Sequence, residues 1–503
     1  MTRSQTLQKI VIASALLLFL ICLWSSLSSD ISAKLRSDQA DREGTKEATE
    51  SQDSFDAVGL HGFCNQGLPR TAGCETLECN GILGVQQSFH LYDNITSVAE
   101  TLQTHPMIED DAKVIGPSYE EWVNSKWARL AGSSVWLPEQ GVYFAITRVI
   151  YLPSGILHWP TMSFLRAQVF DEGWKELEDL TLNWNGNDIT FPATLDIPTP
   201  WEKGGGFFGP EDPRIVLEEN VPGAEPVVVF NMRLQAEGWP RAMYIHRPFS
   251  RFTTVLTIQN EDRAMAEKNW APFFLLDSHS TTPVEPSRYL HFVYTMKPLC
   301  VLRCSLLSGD CDWVFKQEVP DSATLPGGSH IDGNMHGGTN FVPVPTRPSA
   351  RLRLYASFPR THIHGVCEEN AIYRPELVIL AVADGFGFSI AYASGPFDFG
   401  SGVLDEAARS NPCAEGHILI ANSISRWEHR QGSDVMTLSL SVADRTVQIV
   451  HLYGLMKFLD ELPLFEAYER NVTDMESGVD SPLSTAGYQT IMCSIEAAAN
   501  VQV

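Results

Sequence analysis

The sequence predicts an all-β fold in which a β-propeller is favoured over a single sandwich or barrel. From about residue 140 onward, short apolar runs are separated by Gly, Pro, Asn and Asp, which is typical of consecutive strands and turns. In the clearest run, Val435–Val442, apolar residues occupy every second position, the period of a half-buried strand. Because the strands are too many for one sandwich, their repetition favours a propeller. The sequence shows no sharp repeat from which to count blades.

Helices are predicted only beside the β region. Ser118 with Glu121 three residues later forms a capping-box pattern, which predicts a helix through Leu130. A second helix is predicted over Phe458–Arg470. The predicted strands include Val142–Leu152, Ile215–Leu217, Val227–Leu234, Ala242–His246, Tyr289–Met296, Leu352–Ser357, Leu377–Val382, Ile418–Ile424 and Val435–Val442.

The charge balance limits the class of partner. The chain has 503 residues and a formal net charge of −25. Because a phosphate backbone is bound by basic surface, this charge argues against a nucleic-acid partner. An acidic surface fits a domain that acts on neutral glycans, although solubility alone explains it equally well. The hydrophobic fraction of 44% is ample for a packed core.

The N-terminal segment predicts a membrane anchor. Arg3 and Lys9 precede an uncharged apolar stretch from Ile10 to about Leu27, which is long enough to span a bilayer. Positive charge on its N-terminal side predicts a cytoplasmic N-terminus, and a cleaved signal peptide is the alternative. The polar stretch that follows predicts a flexible stem. These features predict a single-pass type II membrane enzyme of the Golgi. Its expected parts are a cytoplasmic tail (1–9), an anchor (10–27), a stem (28–55) and a luminal catalytic domain (56–503).

Sequons and cysteines agree with a luminal domain. Asn94 and Asn471 begin acceptor patterns for N-glycosylation. One of the 10 cysteines lies in the predicted anchor. In an oxidising compartment the remaining cysteines are mainly expected in disulfides, and their odd number leaves at least one free. Cys300, Cys304 and Cys311 do not have the spacing of a standard zinc ribbon.

A short acidic segment is the best candidate for a functional site. Gly209-Pro210-Glu211-Asp212-Pro213-Arg214 follows a glycine-rich run and precedes the apolar residues Ile215–Leu217. Proline fixes φ, and glycine permits close approach of a ligand or of other backbone. Arg214 is able to orient a carboxylate or a planar anionic ligand through two hydrogen bonds. The segment predicts a turn that holds a sugar-processing carboxylate at the rim of a sheet.

With these features the sequence resembles the fungal β-mannosyltransferases of glycosyltransferase family 91, from about Cys64 to the C-terminal end. The acidic segment is also similar to that of the β-mannoside phosphorylases of glycoside hydrolase family 130, which are five-bladed β-propellers. The stretches that carry the first resemblance are Phe207–Ile215, Met335–Phe341, Asn370–Leu377, Ala421–Ile424 and Ser439–Arg445.

The resemblance implies a five-bladed β-propeller that transfers mannose from GDP-mannose to mannan or another mannosylated acceptor, in β-1,2 linkage, during cell-wall glycan biosynthesis. The catalytic aspartate of the phosphorylases corresponds to Asp212. In those enzymes the carboxylate acts through a hydroxyl of the bound mannose. Asp212 is therefore expected to be the catalytic residue.

The chemistry of such a transfer needs one general base. An α-linked donor and a β-linked product require a single in-line displacement, in which the acceptor hydroxyl loses a proton. Glu211 would raise the basicity of Asp212 and Arg214 would lower it, and the sequence does not decide between them. In the alternative reading, Asp212 only caps a turn and pairs with Arg214.

The other candidate residues are assigned to substrate binding by their side-chain chemistry. The diphosphate of the donor needs positive charge, and His336 is followed by two glycines that permit close approach. Structural roles are the alternatives, such as a pair between Arg374 and Glu376. A tryptophan, Trp239, could stack on a sugar, although core packing is the stronger reading. The candidates are Glu211, Arg214, Arg148, Arg374 and His336, together with Asn231, Asn340 and Tyr373 for sugar hydroxyls.

No cofactor is expected, and metal independence is favoured. Asp310-Cys311-Asp312 has the Asp-x-Asp pattern of metal-dependent transferases, but its cysteine is a disulfide candidate. His362 and His364 are another conceivable ligand pair, although alternate residues share a face in any strand. The alternative functions are a β-mannoside phosphorylase or hydrolase, and a non-catalytic glycan-binding propeller. A hydrolase would normally need a second carboxylate.

Overall fold

Antiparallel sheets make up most of the structure, which confirms the predicted all-β class. The predicted anchor, residues 28–54 of the predicted stem and Asn471 lie outside the described residues. The computed structural model describes residues 55–499 apart from 68–72, 87, 113–117, 158, 276–284, 319–333, 346–351, 364–366, 368–370, 384–386, 405–407, 409–410, 412, 414–417, 431–432, 463–467 and 469–481.

The strands and helices are short and follow one another closely. The N-terminal segment has β1 (Phe55–Leu60), β2 (Gly62–Cys64), β3 (Gly81–Gln86), β4 (Phe89–Leu91), α1 (Ile95–Leu102), α2 (Glu109–Ala112) and α3 (Tyr119–Lys126). Next come β5 (Trp127–Leu137), β6 (Val142–Tyr151), β7 (Met162–Phe170), β8 (Thr181–Trp184), β9 (Asn187–Thr190), β10 (Ala193–Thr194), β11 (Glu211–Val216), β12 (Val227–Arg233), β13 (Arg241–Arg247) and β14 (Phe252–Val255).

The C-terminal half continues the same pattern. It has β15 (Thr257–Ile258), β16 (Ala271–Phe273), β17 (Tyr289–Met296), β18 (Leu299–Ser305), β19 (Asp310–Lys316), β20 (Asn334–His336), β21 (Val342–Pro343), β22 (Leu352–Ser357), β23 (Arg360–Ile363), β24 (Ile372–Pro375), β25 (Val378–Ala383) and β26 (Gly387–Ser394). It ends with β27 (Leu419–Arg430), β28 (Ser433–Val442), β29 (Thr446–Tyr453), α4 (Leu455–Glu461) and α5 (Pro482–Ala499).

Five larger sheets succeed one another along the chain. Sheet 1 has the order β10-β7-β6-β5, sheet 2 β11-β12-β13-β14, and sheet 3 β15-β19-β18-β17-β16. Sheet 4 has the order β2-β26-β25-β22-β21, and sheet 5 has β1-β3-β29-β28-β27 with β4 beside β29. The smaller sheets are β20-β23-β24 and β8-β9. The N-terminal strands β1 and β3 thus complete the sheet of the C-terminal strands.

Each larger sheet shares an apolar cluster with the next one. Phe144 of sheet 1 packs in one cluster with Phe230 of sheet 2. Similar clusters join sheets 2 and 3, sheets 3 and 4, and sheets 4 and 5. Tyr143 of sheet 1 shares a further cluster with Ile449 of sheet 5. Fully burying one such side chain contributes about 1.5–3 kcal/mol, so these clusters hold the sheets together.

The strand predictions are confirmed, but one interpretation of burial is wrong. All of the predicted runs form or overlap strands, and the bounds of β17 and β22 match the prediction residue for residue. β28 was expected to be half-buried, yet its polar face is buried as well. The Ser439 hydroxyl donates to the Gly132 carbonyl oxygen at 2.8 Å, and Ser441 accepts from Asn422 Nδ2 at 2.6 Å. Serine tolerates burial here because its hydroxyl is hydrogen-bonded.

The helix predictions are partly confirmed. Ser118 caps α3 by accepting from the Glu121 amide at 3.2 Å. The helix ends at Lys126 rather than Leu130, because the next residues pair with β6 as strand β5. α4 begins three residues before the predicted Phe458, and α5 was not predicted. No helix among the described residues is both long and apolar enough to span a membrane.

The cysteines pair as the sequence predicts. The disulfides are Cys64–Cys79, Cys74–Cys493, Cys304–Cys311 and Cys367–Cys413. Cys300 is free. The Cys74–Cys493 bond ties α5 to the N-terminal part of the domain.

Candidate active site

The acidic segment forms the start of β11 rather than a separate turn. Pairing with β12 begins at Glu211 and shifts register between Glu211 and Arg214, so Asp212 lies in a bulge. A bulge re-aims the side chain that it contains, and Asp212 has a φ of 52°, which is a costly left-handed conformation for a residue other than glycine. Gly209 has a φ of 83°, and a Cβ there would overlap the Ser163 carbonyl oxygen. Only glycine fits at that position.

Glu211 is buried and held between two guanidinium groups. Its Oε1 lies 3.4 Å from Arg148 Nη2, and its Oε2 lies 3.1 Å from Arg241 Nε. Arg148 is fixed further by donating from Nε to the Ser163 hydroxyl at 3.0 Å. With both carboxylate oxygens engaged, Glu211 orients the two arginines.

Asp212 keeps an accessible carboxylate. Its side chain is 36% exposed, and Oδ1 lies 3.9 Å from Arg148 Nη1. Burial raises the pKa of Asp212, but the positive charges of Arg148, Arg214, Arg360 and Lys268 outweigh it and hold the pKa below the usual range. The sequence did not decide whether the pKa of Asp212 is raised or lowered, and the structure shows that the cations lower it. Asp212 is ionised at neutral pH.

Arg214 forms no ion pair with a carboxylate in the part of the chain that the structure describes. It donates from Nε to the Gly338 carbonyl oxygen and from Nη1 to the Pro213 carbonyl oxygen at 2.8 Å. Burial and the neighbouring Arg360 lower its pKa to about 10, against the opposite influence of Asp212. The guanidinium is thus a buried positive charge that backbone dipoles hold in place.

Arg360 is a functional candidate that the sequence did not reveal. It is buried on β23, donating from Nη1 to the Gly337 carbonyl oxygen and from Nη2 to Asn269 Oδ1, both at 2.8 Å. Uncharged carbonyl and amide oxygens thus hold both Arg360 and its neighbour Arg214 in place. Gly337 is required for packing, because a Cβ there would overlap the carbonyl oxygen of Asn269, and the following Gly338 is required in the same way against Phe358.

His336 and Tyr373 lie on the small sheet beside these arginines. Burial, with Arg360, His362 and Lys268, lowers the pKa of His336 to about 4, so its ring is neutral at physiological pH. Its predicted role at the donor phosphate remains a prediction, in which it would act as a hydrogen-bonding partner without charge. The Tyr373 ring stacks on His362 with centroids 4.4 Å apart. Burial raises the pKa of Tyr373, and Asp212 contributes in the same direction, which places the two residues in one electrostatic neighbourhood.

Asn231 lines a cavity next to Asp212. Its Nδ2 donates to the Glu211 carbonyl oxygen at 3.3 Å, whereas its buried Oδ1 has no hydrogen-bond partner among the described residues. The cavity measures about 10 Å³ and is lined by Asp212, Arg214, Val229, Asn231, Met243, Asn269, Trp270, Gly337 and Gly338. A buried polar atom without a partner is costly. Asn231 therefore contributes an acceptor that is free among the described residues to the lining of this cavity.

The site concentrates positive charge in an acidic protein. Near the two carboxylates of Glu211 and Asp212 lie five cationic groups: Arg148, Arg214, Arg241, Arg360 and Lys268. This excess contrasts with the formal net charge of −25 for the chain. Such a site is able to attract a polyanionic group while presenting one ionised carboxylate to it.

Comparison with known proteins identifies the family. The family model described as "Beta-mannosyltransferases" matches residues 73–238 and 235–500. The chain belongs to the beta-mannosyltransferase family. It is 34% identical over 416 residues to Beta-mannosyltransferase 2 of Komagataella phaffii, an alignment that covers 79% of this chain and 62% of that relative. The chain thus spans less than two thirds of that protein's length.

Other relatives show similar levels of identity. Beta-mannosyltransferase 3 of Komagataella phaffii is 32% identical over 447 residues, covering 85% of this chain and 72% of the relative. Beta-mannosyltransferase 7 of Candida albicans is 32% identical over 446 residues, covering 71% and 66%. Among solved structures, a "Hypothetical protein from leishmania major" gives a TM-score of 0.32 at 12% identity, covering 65% of this chain and 85% of that chain. That similarity is too low to support an argument.

Two of the predicted residues of this beta-mannosyltransferase family member contact the backbone and do not line the Asp212 cavity. The Asn340 amide is occupied by the Ile424 backbone, accepting from its amide at 3.0 Å and donating to its carbonyl oxygen at 3.3 Å. Arg374 follows Tyr373 on β24 and therefore faces the opposite side. Burial lowers the pKa of Arg374, while Asp398 and Glu376 act in the opposite direction. These contacts favour structural roles for Asn340 and Arg374.

The remaining candidates are Trp239 and the two possible metal-binding patterns, none of which lines the Asp212 cavity. Trp239 packs against the ring of Phe208 with centroids 5.0 Å apart, in agreement with core packing. The Asp-x-Asp pattern lies on β19, whereas Asn269 and Trp270 of the site immediately precede β16 at the opposite edge of sheet 3. His364 is outside the described residues, among which no cluster of three potential metal-binding side chains occurs. Metal independence remains a prediction.

Proposed function

We propose that this chain is an inverting β-mannosyltransferase, which transfers mannose from GDP-mannose to mannan or another mannosylated acceptor in β-1,2 linkage. The observation that carries the proposal is the accessible, ionised carboxylate of Asp212 within an excess of fixed positive charge. Family membership supports mannosyl transfer. The donor and the linkage follow from the resemblance to the cell-wall enzymes.

In the proposed reaction, Asp212 accepts the proton of the acceptor hydroxyl, directly or through a sugar hydroxyl. As that proton leaves, the acceptor oxygen forms a bond to the anomeric carbon from the side opposite the diphosphate. The bond between the anomeric carbon and the phosphate oxygen breaks, and GDP departs with the electron pair. One displacement with one base inverts the configuration.

The surrounding cations would couple donor binding to the strength of the base. In the free protein, Arg148, Arg214, Arg360 and Lys268 lower the pKa of Asp212. The phosphates of a bound donor neutralise part of this positive field, which raises the proton affinity of the carboxylate. Asp212 becomes a stronger base when the leaving group is in place. The same cations then stabilise the negative charge that develops on GDP.

Other residues of the site receive supporting roles. Arg214 and Arg360 would bind the diphosphate, and Glu211 would keep Arg148 in place. Asn231 Oδ1, which has no partner among the described residues, would accept a sugar hydroxyl. Tyr373 would contact the sugar from the other side of the carboxylate.

We also propose a five-bladed propeller in which sheets 1–5 are the blades. The shared apolar clusters between successive sheets, including sheets 5 and 1, support this arrangement. So does the pairing of β3 with β29, because joining the first and last strands of a chain in one sheet closes a ring of blades. The proposed enzyme works in the Golgi lumen, anchored by residues 10–27. Asn94, exposed at the N-terminus of α1, and Asn471 would carry glycans.

The test is to incubate the full chain with GDP-mannose and an α-linked mannohexaose. NMR of the product should show a new β-anomeric signal in β-1,2 linkage, and GDP should appear in equal amount. A parallel sample with EDTA tests whether the activity depends on a metal ion. Breakdown of β-mannosides that depends on phosphate would favour the phosphorylase alternative, and binding without turnover would favour a glycan-binding protein.

A further inference from the structure

A second and larger cavity lies at the other end of the strands that carry the site. It measures about 270 Å³, just below the range typical of ligand pockets. Its walls come from the ends of β5, β11 and β27, together with β21 and the residues around it. The lining residues are Val135, Trp136, Pro138, Val216, Leu217, Glu219, Asn220, Phe274, Asn340, Phe341, Val342, Pro343, Ile424, Ser425, Arg426, Trp427 and Glu428.

The course of β11 separates this cavity from the Asp212 site. Asp212 lies near the first residue of β11, and Val216 is its last residue. Four residues of extended strand correspond to roughly 13 Å. The Ala421 carbonyl near the start of β27 lies close to Gly338 at the Asp212 site, whereas Ile424 and the residues after it line the large cavity. The two sites therefore occupy opposite ends of the same strands.

Two tryptophans give the large cavity rigid and partly exposed aromatic surfaces. Trp427 Nε1 donates to Asp434 Oδ2 at 3.0 Å. The Trp136 ring is held between Tyr143, with centroids 4.8 Å apart, and the Arg426 guanidinium, 4.2 Å from the ring centroid. A fixed aromatic ring offers contact area at little entropic cost. The apolar C–H face of a hexose is suited to such a surface.

The charge of the large cavity is opposite to that of the Asp212 site. Among the described residues, Glu219 has neither an ion-pair nor a hydrogen-bond partner for its carboxylate. Arg426 is shared between Glu428 and Glu172, at 2.5 and 2.9 Å. Carboxylates therefore outnumber cations here. A phosphate group would be repelled, whereas neutral hydroxyl groups are good donors to carboxylate oxygens.

We infer that this cavity is a second binding site, which takes a neutral hexose oligosaccharide. Trp136 and Trp427 supply stacking surfaces, and Glu219 and Glu428 accept hydroxyl hydrogen bonds. If the proposed function holds, on which this assignment rests, the oligosaccharide is a further part of the mannosylated acceptor. Binding a branched glycan at two points would raise its effective concentration at Asp212.

The inference is tested on the full chain labelled with 5-fluorotryptophan. The fluorine resonances of Trp136 and Trp427 are assigned with Trp136→Phe and Trp427→Phe. Titration with α-linked mannohexaose should shift both resonances, and titration with GDP should leave both unshifted. The Asp212→Asn protein should give the same shifts, because this site does not depend on catalysis.

Two further variants measure affinity by calorimetry. Trp427→Ala should weaken binding to the large cavity by at least about tenfold, and Glu219→Gln by about threefold, with a thermal scan to confirm folding. Glu78→Gln is the matched control, since it removes an exposed carboxylate that lines neither cavity. Unshifted tryptophan resonances, or shifts caused by GDP, would overturn the inference. Loss of mannosyl transfer with these shifts intact would instead count against the proposed function alone.

Discussion

The two ends of β11 carry opposite charge and differ in size. Around Asp212, guanidinium groups outnumber carboxylates, and the adjoining cavity measures about 10 Å³. Around Glu219, carboxylates outnumber guanidinium groups, and the cavity measures about 270 Å³. One set of strands thus presents two surfaces, of which the first suits a polyanion and the second suits a neutral ligand. If the proposed function holds, the sign of the local charge would separate the donor from the glycan.

The two surfaces also differ in how their charges are held. Arg214 and Arg360 are buried and hydrogen-bonded to carbonyl and amide oxygens. Their guanidinium groups are therefore held in fixed positions. Burying such charges is costly, and ionised Asp212 offsets part of that cost. Glu219 instead lies in an open recess, where it is solvent-accessible without a compensating cation among the described residues. Desolvation of the carboxylate by the surrounding walls of the recess raises the pKa of Glu219 to about 7.

The largest expected effect comes from Asp212→Asn. The variant keeps the shape of the side chain and removes the base, so kcat for mannosyl transfer should fall by about 10²- to 10⁴-fold. Release of GDP and NMR of the product measure this loss. Binding of mannohexaose to the large cavity should be unchanged.

Asp310→Asn is the matched control for this variant. It removes an exposed carboxylate that is hydrogen-bonded to Gln259 and Ser308 on sheet 3, and transfer should persist. Full activity of Asp212→Asn, or loss of activity only in Asp310→Asn, would contradict the assignment of the base.

A smaller effect is expected from Arg360→Gln. Removing this guanidinium should raise KM for GDP-mannose by about 10- to 100-fold, equivalent to roughly 1.5–3 kcal/mol for a charge-assisted hydrogen bond. Arg360→Lys keeps the charge without the two-pronged contact. Its KM for GDP-mannose should lie between that of the parent chain and that of Arg360→Gln. Initial rates at varied donor concentration provide the measurement.

Arg303→Gln is a suitable control, because Arg303 is partly exposed and packs over the Tyr289 ring at 4.8 Å. It should leave KM for the donor unchanged. An Arg360→Gln protein that is folded and has an unaltered donor KM would remove this arginine from the phosphate site.

The sequence was informative wherever structure or function depends on residues that are adjacent along the chain. The strands were recognisable because β-branched and aromatic residues concentrate in short runs, and Asp212 was recognisable because its motif is continuous. The burial of the polar face of β28 was not predictable, since it depends on β5 packing against that face. α5 was missed because its small and weakly polar residues give no clear helical stripe.

The rest of the site could not be predicted because it is assembled from separate sheets. Arg360 comes from β23, Lys268 and Asn269 precede β16, and Asp212 comes from β11. Only packing brings these residues together. Arg374 and Asn340 illustrate the same limit, since each lies in a stretch that resembles the family while the structure gives its side chain backbone partners, and their predicted roles in substrate binding remain predictions. The large cavity gave no linear signal at all.

The smallest expected effect is a pair of opposite pH dependences in thermal stability. The pKa of Asp212 is lowered from its ordinary value of 3.8, so its ionised form stabilises the fold above that pH. Asp212→Asn should therefore lower Tm at pH 7, and the difference should vanish as the pH falls through the lowered pKa. The pKa of Glu219 is raised from 4.5 to about 7, so its ionisation destabilises the fold. Glu219→Gln should raise Tm at pH 8 and have no effect near pH 4.

Both carboxylates are partly solvent-accessible, and screening by water keeps each change to about 1–2 °C. Differential scanning calorimetry of each variant against the parent chain, from pH 3 to 8, measures the two curves. The double variant should give their sum, because distant sites are additive. Two curves of the same sign would mean that the ends of β11 do not differ in electrostatic character, and the separation of donor from glycan by charge would lose its physical basis.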